Sequence, residues 1–524
     1  METIIIALIA FIIGIIAIPI ILFVWIYIKD EKQQEHSILR NYPVIGRFRY
    51  ILEKIGPELR QYLYSNDNEE QPFSRKEYEQ TVISGKYKSR MGFGSVRDFD
   101  KPGYFIRNAL FPKQKEELRV NQTPKIETQI YQLDADNLFK RKEHAEPIKA
   151  DPYFLHPDDV QVIGEHTCEQ PFYVKGLVGQ SAMSYGSLGE RAITALSKGL
   201  HQAGGTWMNT GEGGLSEYHL KGGADIICQI GSGLFGVRKR NGEFSWEEFK
   251  RKSRLDQIKA FELKLAQGAK TRGGHVDGAK VSEEVADIRN VEPGKSIDSP
   301  NRFHEFSSTP DMLDFIEKLR NVGQKPVGIK LVAGHPGELH ELFSYMKKSG
   351  KHPDFITIDG SEGGTGASFY ELADTVGLPI MTALPLVDTL LRQYGLRGQL
   401  KVFASGKLLT PDKIAVALAL GADFVNIARG MMFSIGCIRA LVCHTNTCPA
   451  GVATTDPKLQ KALSVEEKQH RVCNYVISLR EGLFNLAAAA GINSPIHFSK
   501  EHVVYRKEDG SIVDIDKLIH QFVS

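Results

Sequence analysis

The stretch Val327-Gly-Ile-Lys-Leu-Val332, with the helical pattern of 337–348 behind it and Phe355-Ile-Thr-Ile358 after that, decides the fold. Two short runs of apolar and β-branched residues flank a helix-sized segment. Strands joined through a helix in this way lie parallel, and the crossover is right-handed. The same alternation extends both ways. Upstream, 179–183, 207–209 and 226–229 read as strands, with helices over 188–203 and 309–322. Downstream, 380–382, 401–404 and 424–427 read as strands, with helices over 386–394 and 411–420. Eight strands over roughly 260 residues suit a closed (β/α)8 TIM barrel of the α/β class. An open doubly wound sheet is the alternative.

The 524 residues are 42% hydrophobic and 24% charged, which excludes wholesale disorder and collagen-like or low-complexity architectures. Lys and Arg total 65 against 63 for Asp and Glu, a net charge of +2. A nucleic-acid surface needs a basic excess, so no nucleic-acid partner is expected. The 49 glycines imply many positive-φ turns and close backbone approaches, as phosphate loops require. Six cysteines over this length make no disulfide scaffold.

Residues 4–28 carry no charge and are almost entirely Ile, Leu, Ala, Phe and Val. At ~1.5 Å per residue they can cross a ~30 Å hydrocarbon core, with Trp25 and Tyr27 at aromatic-belt level. Glu2 precedes the run; Lys29, Lys32, Arg40, Arg47 and Arg49 follow it. The expectation is a single-pass membrane protein with its catalytic part in the cytoplasm. A cleaved signal peptide and a buried core helix are the alternatives. The chain then divides into a transmembrane anchor (1–28), a linker or entry module (29–165), the barrel with its cysteine segment (166–460) and a C-terminal extension (461–524). A short helix is expected over 57–64, and 65–72 is a polar break. A long helix is expected over 465–490, and a hairpin turning at Asp509-Gly510 between 503–506 and 512–515.

The sharpest local signal is Cys437-Ile-Arg-Ala-Leu-Val-Cys443-His-Thr-Asn-Thr-Cys448-Pro449. Thiolates suit iron–sulfur clusters or zinc, and iron–sulfur segments often close on Cys-Pro. Three ligands favour a three-iron, four-sulfur (3Fe-4S) cluster. Zinc with His444 as fourth ligand competes, as do three buried structural thiols.

With that segment in view, the chain resembles the FMN-binding synthase domain of glutamate synthases over roughly 165–460. The blocks that carry the resemblance are Ala182-Met-Ser-Tyr-Gly186, Asn209-Thr-Gly-Glu-Gly-Gly214, Ala266-Gln-Gly-Ala-Lys270, Lys330-Leu-Val332, Gly363-Gly-Thr-Gly-Ala-Ser368, and Cys443 to Pro449 leading into Gly451-Val-Ala-Thr454. More narrowly, the chain is similar to a membrane-anchored, single-domain bacterial branch. The resemblance implies a barrel holding FMN beside a 3Fe-4S cluster, and an oxidoreductase that makes L-glutamate from 2-oxoglutarate and ammonia through 2-iminoglutarate. It implies that Cys437, Cys443 and Cys448 hold the cluster, that FMN lies over Ala182, Met183 and Ser184 with Lys330 near its pyrimidine end, and that Glu212, Lys270 and Arg289 contact substrate and flavin.

These residue types suit those roles. Lys330, ending a strand, would offer a reduced flavin a positive neighbour. Arg289 can grip a carboxylate in a bidentate fork, Lys270 can supply a point charge, and Glu212 can move protons. Ser405 and Gly406 after the seventh strand, Arg429 after the eighth, and the Gly363-Gly364 nest form a candidate phosphate site. Each has a plainer reading as a surface charge or a turn. Gly231-Ser-Gly-Leu-Phe-Gly236 matches a dinucleotide fingerprint but lacks the helix that must open there, and is read as a turn.

The chain also departs from the pattern. The loop after Lys270 is short by one residue and has His275 where Gln is expected, which leaves open another amine, such as methylamine, or another 2-oxo acid. The first cysteine is Cys168, so ammonia is expected from elsewhere, such as a separate subunit, and electrons from a ferredoxin or separate reductase. A 2-hydroxy acid oxidase barrel, which has no need of the cysteine segment, and a non-catalytic membrane-associated barrel are the competing readings.

Overall fold

A computed structural model describes residues 2–523 except 67, 69, 70, 88–93, 96, 138, 139, 272 and 367. Arg272 of the Lys270 loop and Ala367 of the glycine-rich block therefore lie outside the described residues. The chain forms two compact units, Met1–Lys76 and Glu77–Ser524.

In the first unit, helix α1 (Glu2–Lys32) has a mean hydropathy of 3.3 in its most apolar window, and no residue of that window is buried. Its length and composition suffice to cross a membrane, a test that an N-terminal signal sequence also passes. Asp30 ends its apolar stretch. This carboxylate accepts the Val44 N–H at 3.0 Å and a two-pronged contact from Arg47, 2.8 Å from Nε and 2.5 Å from Nη2. Helix α2 (Gly46–Leu59) starts at that corner and runs into a wider π turn, Arg60–Tyr64. The helix expected over 57–64 is thus the end of a longer one.

In the second unit, eight parallel strands close into a barrel: β1 (Val178–Gln180), β2 (Met208–Asn209), β3 (Ile226–Gly231), β4 (Ile258–Lys264), β5 (Val327–Leu331), β6 (Phe355–Asp359), β7 (Lys401–Ser405) and β8 (Phe424–Ile427). Closure is by β8 against β1, with Asn426 opposite Gly179. Seven strands lie where the sequence places them. The eighth does not. Ile380–Gln393 is a helix from its first residue, so 380–382 is no strand; Pro379 fills its N-cap position. The missing strand is β4, whose sequence IKAFELK mixes charges among apolar residues because its inward positions serve the site.

Aromatic rings fill the lower barrel. Trp207 meets Phe403 and Phe424 at centroid distances of 5.2 and 5.5 Å and donates to Asn426 Oδ1 at 2.8 Å. Gly179 and Gly328 are glycines because a Cβ there would collide with the Trp207 and Phe355 rings. Above the rings, buried Glu262 accepts from Asn209 Nδ2 (2.9 Å), Gln229 Nε2 (2.5 Å) and Thr357 Oγ1 (2.6 Å), so its charge is spent on neutral donors.

The flanking segments pack on this barrel. A long hairpin, Ile126–Asn137 with Lys140–Ala150, lies where the sequence shows only weak periodicity, since both its faces are rich in polar residues. Helix Val465–Ala489 runs through the unit, and its buried Asn474 donates to Gly85 O (3.0 Å) and Gln129 O (2.8 Å) while accepting from Thr128 Oγ1 (2.9 Å). The hairpin Val503–Arg506 with Ile512–Asp514 gains a third strand, Gly103–Ile106. At the far end of the barrel, buried Asp388 meets Arg392 (2.8 Å), Arg397 (2.9 Å) and Lys500 (3.6 Å), tying this C-terminal extension down.

Candidate functional site

The loops that follow the strands surround a cavity of about 570 Å³ at the C-terminal mouth of the barrel, within the usual range for a small-molecule site. Ala182, Met183 and Ser184 line it from the loop after β1, Glu212 and Gly213 from the loop after β2, Lys264 and Lys270 from the end of β4, Gly364 after β6, and Arg429 after β8. Arg289 and Cys443 complete the wall.

Glu212 is the electrostatic centre. Its Oε1 accepts from Lys264 Nζ at 2.8 Å and Lys270 Nζ at 2.5 Å. Burial alone would raise the carboxyl, but the two ammonium groups outweigh it and hold Glu212 well below the usual carboxylate range. The lysines share this one partner. Burial lowers Lys264 to about 8 against the pull of Glu212, with Lys270 and Lys330 adding repulsion. Gly231 must be glycine because a Cβ there would strike the Glu212 side chain.

Arg289 ends the helix Glu283–Arg289, whose start is capped by Ser282 accepting from the Val285 N–H at 3.3 Å. Its guanidinium lies 5.4 Å from the Phe235 ring centroid and donates from Nη2 to Tyr185 O at 3.2 Å. Burial draws it below its usual value, with Glu212 opposing. The cavity wall thus presents Lys264, Lys270, Arg289 and Arg429 against the single carboxylate of Glu212 and that of exposed Asp277 at the rim. That excess suits an anionic ligand.

Among the described residues, two buried polar atoms on the lining have no partner: Gln229 Oε1 and Arg289 Nε. Such atoms call for a polar ligand. Backbone approaches close to the wall: a Cβ on Gly213 would lie 2.9 Å from Arg289 Nη2, and one on Gly364 would lie 3.3 Å from Arg429 Nη2. Cavity, cations and glycine-lined loops fit FMN in size and charge.

Behind this wall, His219 fixes the loop that carries Met183. Its Nδ1 accepts from the Ser216 N–H at 3.2 Å, and Nε2 lies 3.2 Å from Met183 O. Burial lowers its pKa to about 4, so the ring is neutral and its Nε2–H donates.

The remaining expected residues do not line the cavity. Lys330 is buried against Asp359 Oδ2 at 3.2 Å. Gly363, Ser405 and Gly406 are not among the lining residues; Gly406 has φ of 156° and a Cβ there would crowd Ile380. Cys443 is half-buried on the wall, with Arg429 Nη1 3.7 Å from its Sγ and Lys280 Nζ 2.6 Å from its carbonyl oxygen, while Cys437 and Cys448 are buried. Arg439, Leu441 and Asn446 in this segment hold φ of 61°, 57° and 63°. Asn tolerates that region, while Arg439 and Leu441 each cost roughly 1–2 kcal/mol there, so the segment stores strain. The three thiols match iron–sulfur chemistry in kind. Among the described residues, however, no three His, Cys, Asp or Glu side chains are gathered closely enough to hold a metal ion. Sequence reasoning missed Lys264, Gln229, Lys280 and His219; a lysine six positions before Lys270 was the available signal for the first.

Comparison with known proteins then decides the family. The family described as a conserved region in glutamate synthase matches residues 114–493. The chain belongs to the glutamate synthase family. It is 94% identical over 525 residues, covering the whole of both chains, to the glutamate synthase large subunit-like protein YerD of Bacillus subtilis (strain 168). It is 36% identical over 315 residues to the archaeal glutamate synthase (NADPH) of Methanocaldococcus jannaschii, covering 60% of this chain and 58% of that one. With the glutamate synthase (NADPH) large chain of Bacillus subtilis it shares 32% identity over 321 residues, 60% of this chain and 20% of that one. The chain thus spans less than two thirds of those two relatives. A mutant flavocytochrome b2 with benzoylformate superposes with a TM-score of 0.42 at 12% identity, over 82% of this chain and 78% of that one. As a glutamate synthase family member the chain is an oxidoreductase acting on the CH–NH2 group of donors.

Proposed function

We propose that this glutamate synthase family member reduces 2-iminoglutarate, formed from 2-oxoglutarate and ammonia, to L-glutamate in the barrel mouth. The observation that carries this reading is the convergence of Lys264, Lys270 and Arg289 around Glu212 in one cavity. A dicarboxylate needs two cationic contacts, and a bidentate guanidinium with an ammonium opposite supplies them while fixing the keto carbon between. Glu212, held ionised by the two lysines, can orient the attacking ammonia by accepting its N–H. Lys264, near 8, can give up a proton at working pH.

FMN would be held by Ala182, Met183 and Ser184, by Gln229, and at its phosphate by Arg429 and Gly364, with Gly363, Ser405 and Gly406 supporting those loops. It supplies hydride to the imine carbon when bound. Lys330 neutralises Asp359 beside that region. The reading also assigns Cys437, Cys443 and Cys448 to a 3Fe-4S cluster: the donor types support it, and the absence of a gathered ligand set counts against it. Electrons come from a separate donor, a ferredoxin or reductase, and ammonia from solution or a separate subunit. In this reading 166–460 carries the chemistry, 29–165 and 461–524 brace it, and α1 anchors the chain once in a membrane with the barrel in the cytoplasm.

His275 favours a second reading, with a different amine or 2-oxo acid as substrate. It lines the cavity and is held by Asp298 Oδ1 at 2.9 Å from Nδ1. The test is spectroscopic. Purified protein should show a flavin spectrum, and chemically reduced flavin should be reoxidised by 2-oxoglutarate with ammonium while glutamate accumulates. Protein without flavin, or reduced flavin indifferent to both substrates, refutes the proposal; reoxidation with another amine alone selects the second reading.

A further inference from the structure

Within its unit and among the described residues, helix α2 leaves one face without a partner. Ile45 just before it, then Phe48, Leu52, Ile55 and Leu59, recur at spacings of three and four and share one side, with Ile51 at its edge. A soluble helix buries such a stripe. Here Ile45 is 79% exposed, Phe48 63% and Ile55 43%. The opposite side is the one used for packing: the Tyr50 ring meets His36 at 5.1 Å, and Gly46 sits against Ile38 and Leu39.

The position of this face is fixed by Asp30. That carboxylate marks the point where the apolar run of α1 meets charge, and Trp25 beneath it lies 5.2 Å from Lys29 Nζ, a pairing suited to the headgroup level. The same carboxylate holds the Val44 N–H and the Arg47 guanidinium, so the first turn of α2 is pinned at the level where α1 ends. We infer that α2 lies in the bilayer interface, with Phe48, Leu52, Ile55 and Leu59 inserted among acyl chains, as a second membrane contact beside the span. The inference rests on the reading of α1 as a membrane span.

The charges say which lipid property matters. Arg47 is committed to Asp30, and Arg49 to Glu53 at 2.7 Å. Beyond those two pairs, Lys54 and Arg60 are set against Glu58, a positive excess of one against five apolar side chains on the exposed face, so apolar insertion rather than anionic headgroups drives the contact.

The test uses full-length protein in phosphatidylcholine vesicles whose acyl chains carry bromine near either the carbonyl or the methyl end, since bromine quenches indole only at contact range. Trp25 reports on α1, with Trp25→Phe as its blank. Phe48→Trp and Ile55→Trp each add an indole on the proposed lipid face, and Tyr50→Trp adds one on the opposite face. The emission added by Phe48→Trp and Ile55→Trp should be largely lost with bromine near the carbonyl end and less so near the methyl end, while that of Tyr50→Trp persists. If Trp25 is quenched and both added indoles are not, the face is covered by the rest of the chain or a second copy, and the inference fails while the span stands. If Trp25 also escapes quenching, the span fails and the inference with it. A quenching pattern that disappears at high salt would replace apolar insertion with charge attraction and overturn the argument.

Discussion

Replacing Lys264 with Gln is the most exacting probe of the site. The ammonium lies 2.8 Å from Glu212 Oε1, a gross attraction of about 6 kcal/mol at an effective dielectric near 20. Its pKa nevertheless falls from 10.5 to about 8. At about 1.4 kcal/mol per unit, the charged form is held some 3 kcal/mol against its preference even with that partner. An arriving carboxylate relieves this. A hydrogen bond to a charged group contributes about 1.5–3 kcal/mol, so Lys264→Gln should weaken 2-oxoglutarate binding roughly 10- to 150-fold. The sign with pH follows. Lys264 is cationic below about 8 and neutral above, so wild-type affinity should hold at low pH and decline as pH rises through about 8. In the variant that break should vanish, leaving a flat, weak profile. The assay is titration of the flavin absorbance with 2-oxoglutarate between about pH 6 and about pH 9. Wild-type affinity in the variant, or a break near 8 that survives the substitution, would refute the reasoning.

Three further outcomes follow from the same structure. Cys443→Ser should abolish the paramagnetic signal and iron content of a 3Fe-4S cluster; unchanged iron and spectra would contradict the assignment of Cys443 as a ligand. Asp388→Ala removes the carboxylate shared by Arg392, Arg397 and Lys500, while Arg397 keeps Asp423 at 3.1 Å, and should cost about 1.5–3 kcal/mol in chemical denaturation, with flavin binding in the folded fraction unaffected. Gly179→Ala puts a methyl group into the Trp207 ring and should destabilise the barrel by about 1–3 kcal/mol, measured by the same denaturation midpoint.

The barrel was legible because buried parallel strands such as FITI and VGIKL are short apolar runs broken at one position each, Thr357 and Lys330. The one missed strand and the one false strand have physical causes. In β4, Glu262 and Lys264 face inward where apolar residues would otherwise sit, and the segment loses the mark of a strand by serving the site. In 380–382, Ile-Met-Thr looks like a strand, but Pro379 and the following apolar periodicity set a helix. The two errors cancel in number and hide their consequence, since the overlooked strand ends in Lys264. Glu212 and Lys270 were named from their motifs. Their contact could not be, because 58 residues separate them and only barrel closure brings them together. The cysteine spacing was plain, while the directions of the three sulfurs depend on left-handed turns at Arg439, Leu441 and Asn446 that no spacing encodes.

Asn474 carries a consequence for how the chain matures. Its two carbonyl acceptors, on Gly85 and Gln129, precede it by 389 and 345 residues. A ribosome delivers those acceptors long before their donor exists. The early segments therefore wait, undocked and in need of protection from aggregation, until helix Val465–Ala489 emerges and latches them onto the finished barrel. A chain that stops short of that helix would lose the fastener of its own beginning.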